Sequence, residues 1–224
     1  SAWEKGWEEN LKNFIKNQHK IEALTPGYYR ASNIKRLKRE YIKTDSSTFE
    51  FDFFRVFRHW AFNRYLSKAN EILEFACGSG HNLPAMAQLF PKKSFHGLDW
   101  TLSSKKIVDL IAEKYGWQMK GHLFNMFEPN YSLHIPNNSV FVTIGGLEQL
   151  GKEYESFLEF IFNKKPSYCL HIEPIYEFYD TSNLLDYLGS LYHKQRKYLS
   201  GFLTRIKKAE ESGQATIIDC KRIY

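Results

Sequence analysis

Hydrophobic and polar positions follow different patterns on the two sides of residue 70. Before it, apolar residues recur at helical spacing, as in Trp7, Leu11 and Phe14, which predicts helices. After it, short apolar runs alternate with helical stretches of about ten residues or more. The predicted strands cover 71–76, 94–98, 118–124, 140–144, 168–172 and 215–220, and the predicted helices cover 83–90, 103–115, 154–162 and 184–208.

Strands that alternate with helices form βαβ units, which build a parallel sheet. Right-handed crossovers place helices on both faces of such a sheet. The sequence therefore predicts an α/β fold, with a doubly wound, mostly parallel sheet over residues 71–224 and an N-terminal helical cap over residues 1–70. Ligands bind beyond the carboxyl ends of the strands in these sheets. The candidate site residues are accordingly those that follow each strand.

The composition narrows the class of protein. An apolar content of 43%, of which much is aromatic, is enough to form a core and excludes a disordered chain. The sequence contains no apolar run of about 18 residues, and its first residues lack the layout of a signal peptide. The cysteines, Cys77, Cys169 and Cys220, form no Cys-x-x-Cys pair. We expect a cytoplasmic protein without disulfides, without a metal site and without a membrane segment.

The net charge of +6 is concentrated in one part of the chain. The first 70 residues contain 14 Lys and Arg but 8 Asp and Glu, whereas the remaining residues are balanced. The densest basic run lies between residues 30 and 43. It is either a solvated helix face or a surface that attracts an anionic substrate. On the second interpretation, Arg30 is a candidate substrate-binding residue.

The loop after the first predicted strand carries the clearest chemical signal. It reads Glu74-Phe75-Ala76-Cys77-Gly78-Ser79-Gly80, and its glycines let the backbone pass close to a ligand. The segment resembles the first motif of class I S-adenosylmethionine (SAM)-dependent methyltransferases, an acidic residue followed by small residues that end in Gly-x-Gly. The resemblance implies a Rossmann-like methyltransferase fold, SAM as the cofactor over this loop, and a role for Glu74 in holding it.

The second and third predicted strands extend the resemblance. Asp99 ends the second strand 21 residues after Gly78, where a carboxylate can accept both ribose hydroxyls. The resemblance implies that Trp100 packs on the adenine and that Asn125 recognises the ring edge. Alternatively, Asp99 caps the next helix and Trp100 belongs to the core. The implied cofactor-binding residues are Glu74, Ala76, Cys77, Gly78, Ser79, Gly80, Asn82, Asp99, Trp100, Asn125, Met126 and Gly145.

Other classes of nucleotide and nucleic-acid enzyme fit less well. A dinucleotide fingerprint needs a third small residue where this chain has Leu83, and the P-loop pattern is absent. Residues 145–150 lack the Asn/Asp-Pro-Pro-aromatic motif of base N-methyltransferases and the Pro-Cys pair of cytosine C5 enzymes. The run Leu147-Glu148-Gln149 looks more like the Leu-Glu-His sequence of small-molecule methyltransferases. We therefore expect a small acceptor and no nucleic-acid partner.

The segments 171–176 and 192–199 resemble methyltransferases of bacterial surface-sugar and capsule clusters, some of which are linked to O-methyl phosphoramidate decoration. This implies methyl transfer to an oxygen of a small anionic acceptor, such as a phosphorylated or nucleotide-linked sugar. A small-molecule N-methyltransferase and a non-catalytic SAM-binding partner subunit remain alternatives. The resemblance to class I methyltransferases implies a seventh, antiparallel strand. We expect this strand to be missing because the sequence ends just after the sixth predicted strand.

A hydroxyl acceptor needs a general base. The candidates are Glu173, His193, Glu148 and His171. His171 lies inside a strand, which favours a place in the core, and the alternative for Glu173 is that it caps a neighbouring element. A phosphate-like acceptor needs no base, so that arginines matter more. Tyr192 and Arg196 share a helix face, whereas His193 points about 100° away. The substrate-binding candidates are Arg30, Glu148, Tyr176, Tyr192 and Arg196.

Overall fold

The computed structural model describes residues 2–27 and 34–223. Among the described residues, no helix is both long and apolar enough to cross a membrane. The elements in chain order are α1 (Ala2–Lys16), β1 (Ile34–Leu37), β2 (Glu40–Lys43), α2 (Phe49–Leu66), β3 (Glu71–Phe75), α3 (Asn82–Leu89), β4 (Ser94–Asp99), α4 (Leu102–Tyr115), β5 (Met119–Leu123), β6 (Ser139–Ile144), α5 (Glu155–Lys164), β7 (Tyr168–Ile172), α6 (Leu184–Gln195) and α7 (Phe202–Glu211).

A parallel sheet in the order β5-β4-β3-β6-β7 forms the centre of the molecule. The chain runs outward from β3 through β4 to β5 and then returns to β6 on the other side of β3. The topological switch point therefore lies between β3 and β6. The doubly wound, Rossmann-like fold expected from the sequence is confirmed, and the predicted strands over 71–172 are all present.

Both faces of the sheet are covered, as a parallel sheet requires. On one face, Phe75 lies within 5.1 Å, centroid to centroid, of the rings of Phe124, Phe141 and Phe157. On the other face, Ile72 and Val140 pack in a buried cluster with α2 and α3. The last four residues of β3 are buried, and so are the first five of β6. The central strands are therefore predominantly apolar in the sequence.

The N-terminal cap is only partly helical. Helix α1 packs on α4, where Phe14 joins a buried cluster with Ile107 and Ile111. The basic run that the sequence predicted as helical instead forms an antiparallel hairpin, β1–β2. Its two turn residues, Lys38 and Arg39, have φ values of 50° and 65°, as a tight two-residue hairpin turn requires. The helical interpretation failed because the glycine or asparagine that normally signals this turn is absent.

Two predictions for the C-terminal third are wrong. The helix expected over 184–208 is two helices, α6 and α7, because Lys197 and Gly201 adopt left-handed backbone conformations between them. The strand expected over 215–220 is not formed. That segment is held by side chains instead, since Glu210 accepts a hydrogen bond from the Ile217 amide at 2.7 Å and Tyr65 donates to Asp219.

Candidate active site

A cleft of about 960 Å³ opens at the carboxyl ends of the strands, on both sides of the switch point. Ligand pockets range over about 300–1,000 Å³, so this cleft has room for a cofactor and a second molecule. It brings together most of the residues predicted from the sequence. Those that line it are Ala76, Cys77, Gly78, Ser79, Asn82, Asp99, Trp100, Asn125, Met126, Gly145, Glu148, Glu173, Tyr192 and Arg196.

The glycine loop leaves β3 in a tight left-handed turn. Ala76, Gly78 and Gly80 have φ values of 53°, 55° and 70°. Gly146, on the neighbouring strand end, lies so close that a Cβ there would be 2.5 Å from the Cβ of Ala76. Both strand ends at the switch point therefore need small residues. A Cβ on Gly145, by contrast, would meet no atom within 4 Å, so the cleft is open beside it.

Asp99 holds the glycine loop and the start of α4 together. Its Oδ2 accepts a hydrogen bond from the Gly78 amide at 3.0 Å, and its Oδ1 accepts from the amide and the hydroxyl of Thr101, both at 3.0 Å. Thr101 in turn caps α4 by accepting from the Ser104 amide. Burial raises the pKa of Asp99. Because each carboxylate oxygen has two acceptor positions, Oδ2 retains one for a ligand, rather than the pair expected for two ribose hydroxyls.

Trp100 and Asn125 stand next to Asp99 with groups available to a ligand. The Trp100 side chain is 49% exposed, so the alternative that it belongs to the core is wrong. The Oδ1 of Asn125 accepts from the Phe127 amide at 3.0 Å. Its Nδ2 has no partner among the described residues. Because Asn125 lines the cleft, this donor is available to a ligand.

Glu74 lies beneath the loop and does not line the cleft. Its Oε1 accepts from Asn82 Nδ2 at 2.6 Å, and the Oδ1 of Asn82 accepts from the buried Arg58 of α2 at 2.5 Å. Burial raises the pKa of Glu74 to about 7, although the Asn82 hydrogen bond and the Arg58 charge oppose that rise. Gly80 also lies outside the cleft, against the side chains of α4. Both residues therefore support the loop from behind.

Helix α1 covers the glycine loop with two tryptophans, of which the sequence pattern predicted only Trp7, and only as a helix position. A Cβ on Gly78 would lie 2.7 Å from the Trp7 indole. Trp3 stacks on Trp7 with ring centroids 5.6 Å apart, and both line the cleft. Their spacing, four residues apart on one helix face, was the available signal. Ser79 fixes the segment that follows α1, because its hydroxyl donates to the Leu24 carbonyl at 2.7 Å.

Glu173 caps a neighbouring element, as the alternative interpretation stated. Its carboxylate accepts hydrogen bonds from the amides of Gly146, Leu147 and Glu148 at 3.1–3.3 Å. It therefore fixes the start of the short 3-10 helix Leu147–Leu150. Burial raises the pKa of Glu173 despite these bonds. A carboxylate held by three backbone donors is poorly placed to take a proton from an acceptor.

Glu148 is a further carboxylate of this cleft, and its pKa is raised. Its side chain is half-buried, and its Oε1 accepts from Gln149 Nε2 at 2.8 Å. Burial raises the pKa of Glu148 to about 8, and the like charge of Glu173 acts in the same direction. Arg196 acts in the opposite direction. A general base works best when its pKa lies near the working pH. Burial brings the pKa of both Glu148 and Glu173 into that range, and Glu148 fits the role better because Glu173 is held by three backbone amides.

His193, predicted as a catalytic residue, is not among the residues that line the cleft. Its side chain is buried, its Nε2 lies 2.7 Å from the Leu199 carbonyl oxygen, and its ring packs against Tyr176 and Tyr179. Tyr176, predicted to bind substrate, does not line the cleft itself but packs against Tyr179, which does. The helical phase explains this result, since Tyr192 and Arg196 do face the cleft. Arg30 lies outside the described residues.

Among the described residues, no group of three or more His, Cys, Asp or Glu side chains is arranged to hold a metal ion. The three cysteines are free thiols. Burial raises the pKa of Cys77 well above its usual value, so this cleft residue remains a neutral thiol. Besides this thiol, the groups that line the cleft include carboxylates, aromatic rings and guanidinium groups.

No protein-family model matches the chain, and no curated protein sequence matches it. Similar solved structures include an O-methyltransferase of Brevibacillus brevis in complex with S-adenosyl-L-homocysteine, at 16% identity and a TM-score of 0.44 over 54% of this chain and 41% of that one. Coclaurine N-methyltransferase, bound to N-methylheliamine and S-adenosyl-L-homocysteine, shows 15% identity and a TM-score of 0.43 over 72% of this chain and 48% of that one. The [4+2]-cyclase SpnF shows 12% identity and a TM-score of 0.46 over 78% of this chain and 57% of that one.

The chain spans about two-fifths of the length of the first of these solved structures, 41%, and less than two-thirds of the other two. The parallel sheet, its strand order and its switch point establish a Rossmann-like α/β fold by themselves.

Proposed function

We propose that this chain is a SAM-dependent methyltransferase that transfers a methyl group to an oxygen of a small anionic acceptor. The observation that carries the proposal is the convergence of the glycine loop, Asp99, Trp100 and Asn125 on one cleft at the switch point. These groups come from the ends of three strands, β3, β4 and β5, and each suits a different part of SAM. The whole activity, its acceptor and its partners belong to this proposal.

The residues of the cleft fit the cofactor. The left-handed turn at Gly78 lets the loop pass close beneath Trp7, and the open space beside Gly145 leaves backbone accessible to a ligand. Asp99 Oδ2 has one acceptor position for a ribose hydroxyl, and Asn125 Nδ2 can donate to a ring nitrogen of adenine. The exposed Trp100 indole offers a flat apolar surface for the ring. When bound, SAM supplies a methyl group that is already activated.

The protein's part in the reaction is orientation and proton transfer. Alignment of the acceptor oxygen with the methyl group contributes through proximity. Glu148 receives the hydroxyl proton on its carboxylate, because it lines the cleft and burial raises its pKa. The stacked indoles of Trp3 and Trp7 cover the loop side of the cleft and exclude water from it. Glu173 positions Glu148 through the backbone of the 3-10 helix.

The charge of the acceptor is inferred from the basic side chains that line the cleft, which are Arg36, Arg196, Lys221 and Arg222. An anionic group such as a phosphate or carboxylate would complement them. The resemblance of segments 171–176 and 192–199 to methyltransferases of surface-sugar clusters supports a phosphorylated or nucleotide-linked sugar, or a phosphoramidate-bearing capsule precursor. No nucleic acid and no membrane is part of the proposal.

A second candidate is methyl transfer to a small amine. Glu148 favours it, since a carboxylate can also hold an ammonium group and take its proton. A third candidate, a SAM-binding subunit without catalysis, would use the same cofactor residues. Identification of the methylated atom by mass spectrometry and NMR separates the first two. The third predicts cofactor binding with no methyl transfer to any acceptor.

The test begins with the cofactor and continues with the acceptor. The purified protein should bind S-adenosylhomocysteine in calorimetry and should transfer labelled methyl from SAM to members of a panel of sugar phosphates, nucleotide sugars, amines and RNA. Label on a sugar or phosphate oxygen is the expected result. Stronger binding of NAD than of S-adenosylhomocysteine would contradict the class. Label in RNA at physiological salt, where phosphate contacts weaken, would contradict the acceptor.

Replacement of Asp99 by alanine should weaken S-adenosylhomocysteine binding by about 1–3 kcal/mol, the range for polar groups left unpaired. It removes the ribose acceptor and frees the Gly78 amide. Asp109→Ala is the matched control, because Asp109 also accepts from a glycine amide, that of Gly121 at 2.8 Å, but does not line the cleft. Equal affinities of the two variants in calorimetry would rule out the ribose assignment.

A further inference from the structure

Three cations of the β1–β2 hairpin and its surroundings have carboxylate partners. Lys35 Nζ lies 2.6 Å from Glu50, Arg39 Nη1 lies 3.2 Å from Asp180, and Arg222 Nη1 lies 2.5 Å from Asp186. Arg36 differs from these neighbours. Among the described residues, its only hydrogen bond is a long one of 3.5 Å from Nη1 to the Leu185 carbonyl.

The Arg36 guanidinium is held in place although no carboxylate accepts from it. It lies against α6, where a Cβ on Gly189 would be 2.3 Å from Arg36 Nη1. It also lies 5.9 Å from the ring centroid of Tyr179. Both Arg36 and Tyr179 line the cleft, and both are half-buried. A cation that is partly removed from water without a counter-ion is unfavourable, so this geometry points to an anion supplied from the cleft.

The acidic side chains of the cleft do not fill this role. Glu50 is paired with Lys35, and Glu173 is engaged by three backbone amides. Asp99 is held by Gly78 and Thr101. Glu148 accepts from Gln149, and the arginine whose charge acts on it is Arg196. The sequence candidate Arg196 is less suited than Arg36, since it is exposed and donates to its neighbour Tyr198 at 3.2 Å.

We infer that Arg36 binds the carboxylate or phosphate group of the acceptor, with the Tyr179 ring as the adjoining wall. The inference rests on the proposed function and deepens it by naming the residue and the chemical group. A guanidinium offers two parallel donors to either oxyanion. The hairpin therefore belongs to the acceptor half of the cleft, opposite the glycine loop.

The test uses the whole chain saturated with S-adenosylhomocysteine and three probes that share one ring, namely phenyl phosphate, benzoate and phenol. Calorimetry should show that phenyl phosphate, benzoate or both bind more tightly than phenol. Arg36→Gln should weaken the binding of the anionic probes about 10- to 100-fold, the range for hydrogen bonds to charged groups. The affinity for phenol should stay within about twofold of the wild type. Which anion binds more tightly distinguishes a phosphate acceptor from a carboxylate acceptor.

Two further variants separate the contact from net charge and from folding. Lys43→Gln removes an equal charge from the exposed side of the same hairpin and should leave all three probes within about twofold. Gly189→Ala keeps the net charge of the protein and favours helix formation. Its methyl group displaces the Arg36 guanidinium, so it should weaken the binding of the anionic probes alone. Anion binding no tighter than phenol binding, or unchanged in Arg36→Gln, overturns the inference. Loss of S-adenosylhomocysteine binding in the wild type contradicts the proposed function instead.

Discussion

Replacement of Glu148 by glutamine is expected to lower kcat about 10²- to 10⁴-fold, the usual contribution of a general base. Glutamine keeps the size of the side chain but cannot accept the proton. Affinity for S-adenosylhomocysteine should change by no more than about twofold, because Glu148 lies on the acceptor side of the switch point. Steady-state methyl-transfer rates and calorimetry on the same preparation measure the two effects. Glu153→Gln, an exposed glutamate in the next turn, serves as the control and should behave as the wild type.

The pH profile gives the same prediction an independent readout. A base acts in its ionised form, and burial raises the pKa of Glu148 to about 8. The wild-type rate should therefore rise with pH and level off above about 8. Arg196→Gln removes a charge that lowers this pKa, so the rise should move to higher pH. A flat profile together with an active Glu148→Gln enzyme would mean that the acceptor is already ionised and needs no base.

The features that the sequence predicted correctly are those encoded over short distances along the chain. The strand that ends in the glycine loop, and the Asp99 that follows at the end of the next strand, are set by apolar runs, small residues and one spacing. Helical phase correctly separated Tyr192 and Arg196 from His193. These patterns depend on backbone geometry that neighbouring residues determine.

The features that the sequence did not predict depend on contacts between distant segments. Arg36 meets Leu185 across 149 positions, and no local pattern distinguishes it from the other cations of the basic run. Glu74 and Glu173 were correctly placed at strand ends, but only the packing shows that one supports the loop through Asn82 and the other caps a 3-10 helix. Roles of carboxylates at strand ends follow from their partners, which periodicity does not reveal.

The acceptor half of the cleft is held together by one buried carboxylate. Asp186, on the first turn of α6, has no exposed surface. It accepts from Arg222 Nη1 and Nη2 at 2.5 and 2.7 Å, from the Asp180 amide at 2.9 Å, and lies 3.5 Å from Arg39 Nε. It thereby joins the hairpin, α6 and the C-terminal segment. Arg222 and the other positive groups hold the pKa of Asp186 well below its usual range.

Replacement of Asp186 by alanine should lower the free energy of unfolding by about 3–5 kcal/mol, because a buried charge pair that loses one partner leaves the other uncompensated. Urea unfolding at pH 7 measures this effect, and Asp186→Asn, which keeps the shape of the side chain, should lose most of the same stability. Asp180→Ala is the control, since Asp180 is a largely exposed partner of Arg39 and its removal should change stability much less.

The pH dependence of this loss of stability follows from the direction in which the pKa of Asp186 is shifted. A carboxylate with a lowered folded-state pKa stabilises the protein above its unfolded pKa of about 3.9 and loses this contribution as the pH falls below it. The stability difference between the wild type and Asp186→Ala should therefore be constant from pH 6 to 7 and shrink below about pH 4. Equal stability of Asp186→Ala and the wild type at pH 7 would show that the hairpin and the C-terminal segment are held by other contacts. In that case the position of Arg36, which the same hairpin presents to the cleft, would not depend on this cluster.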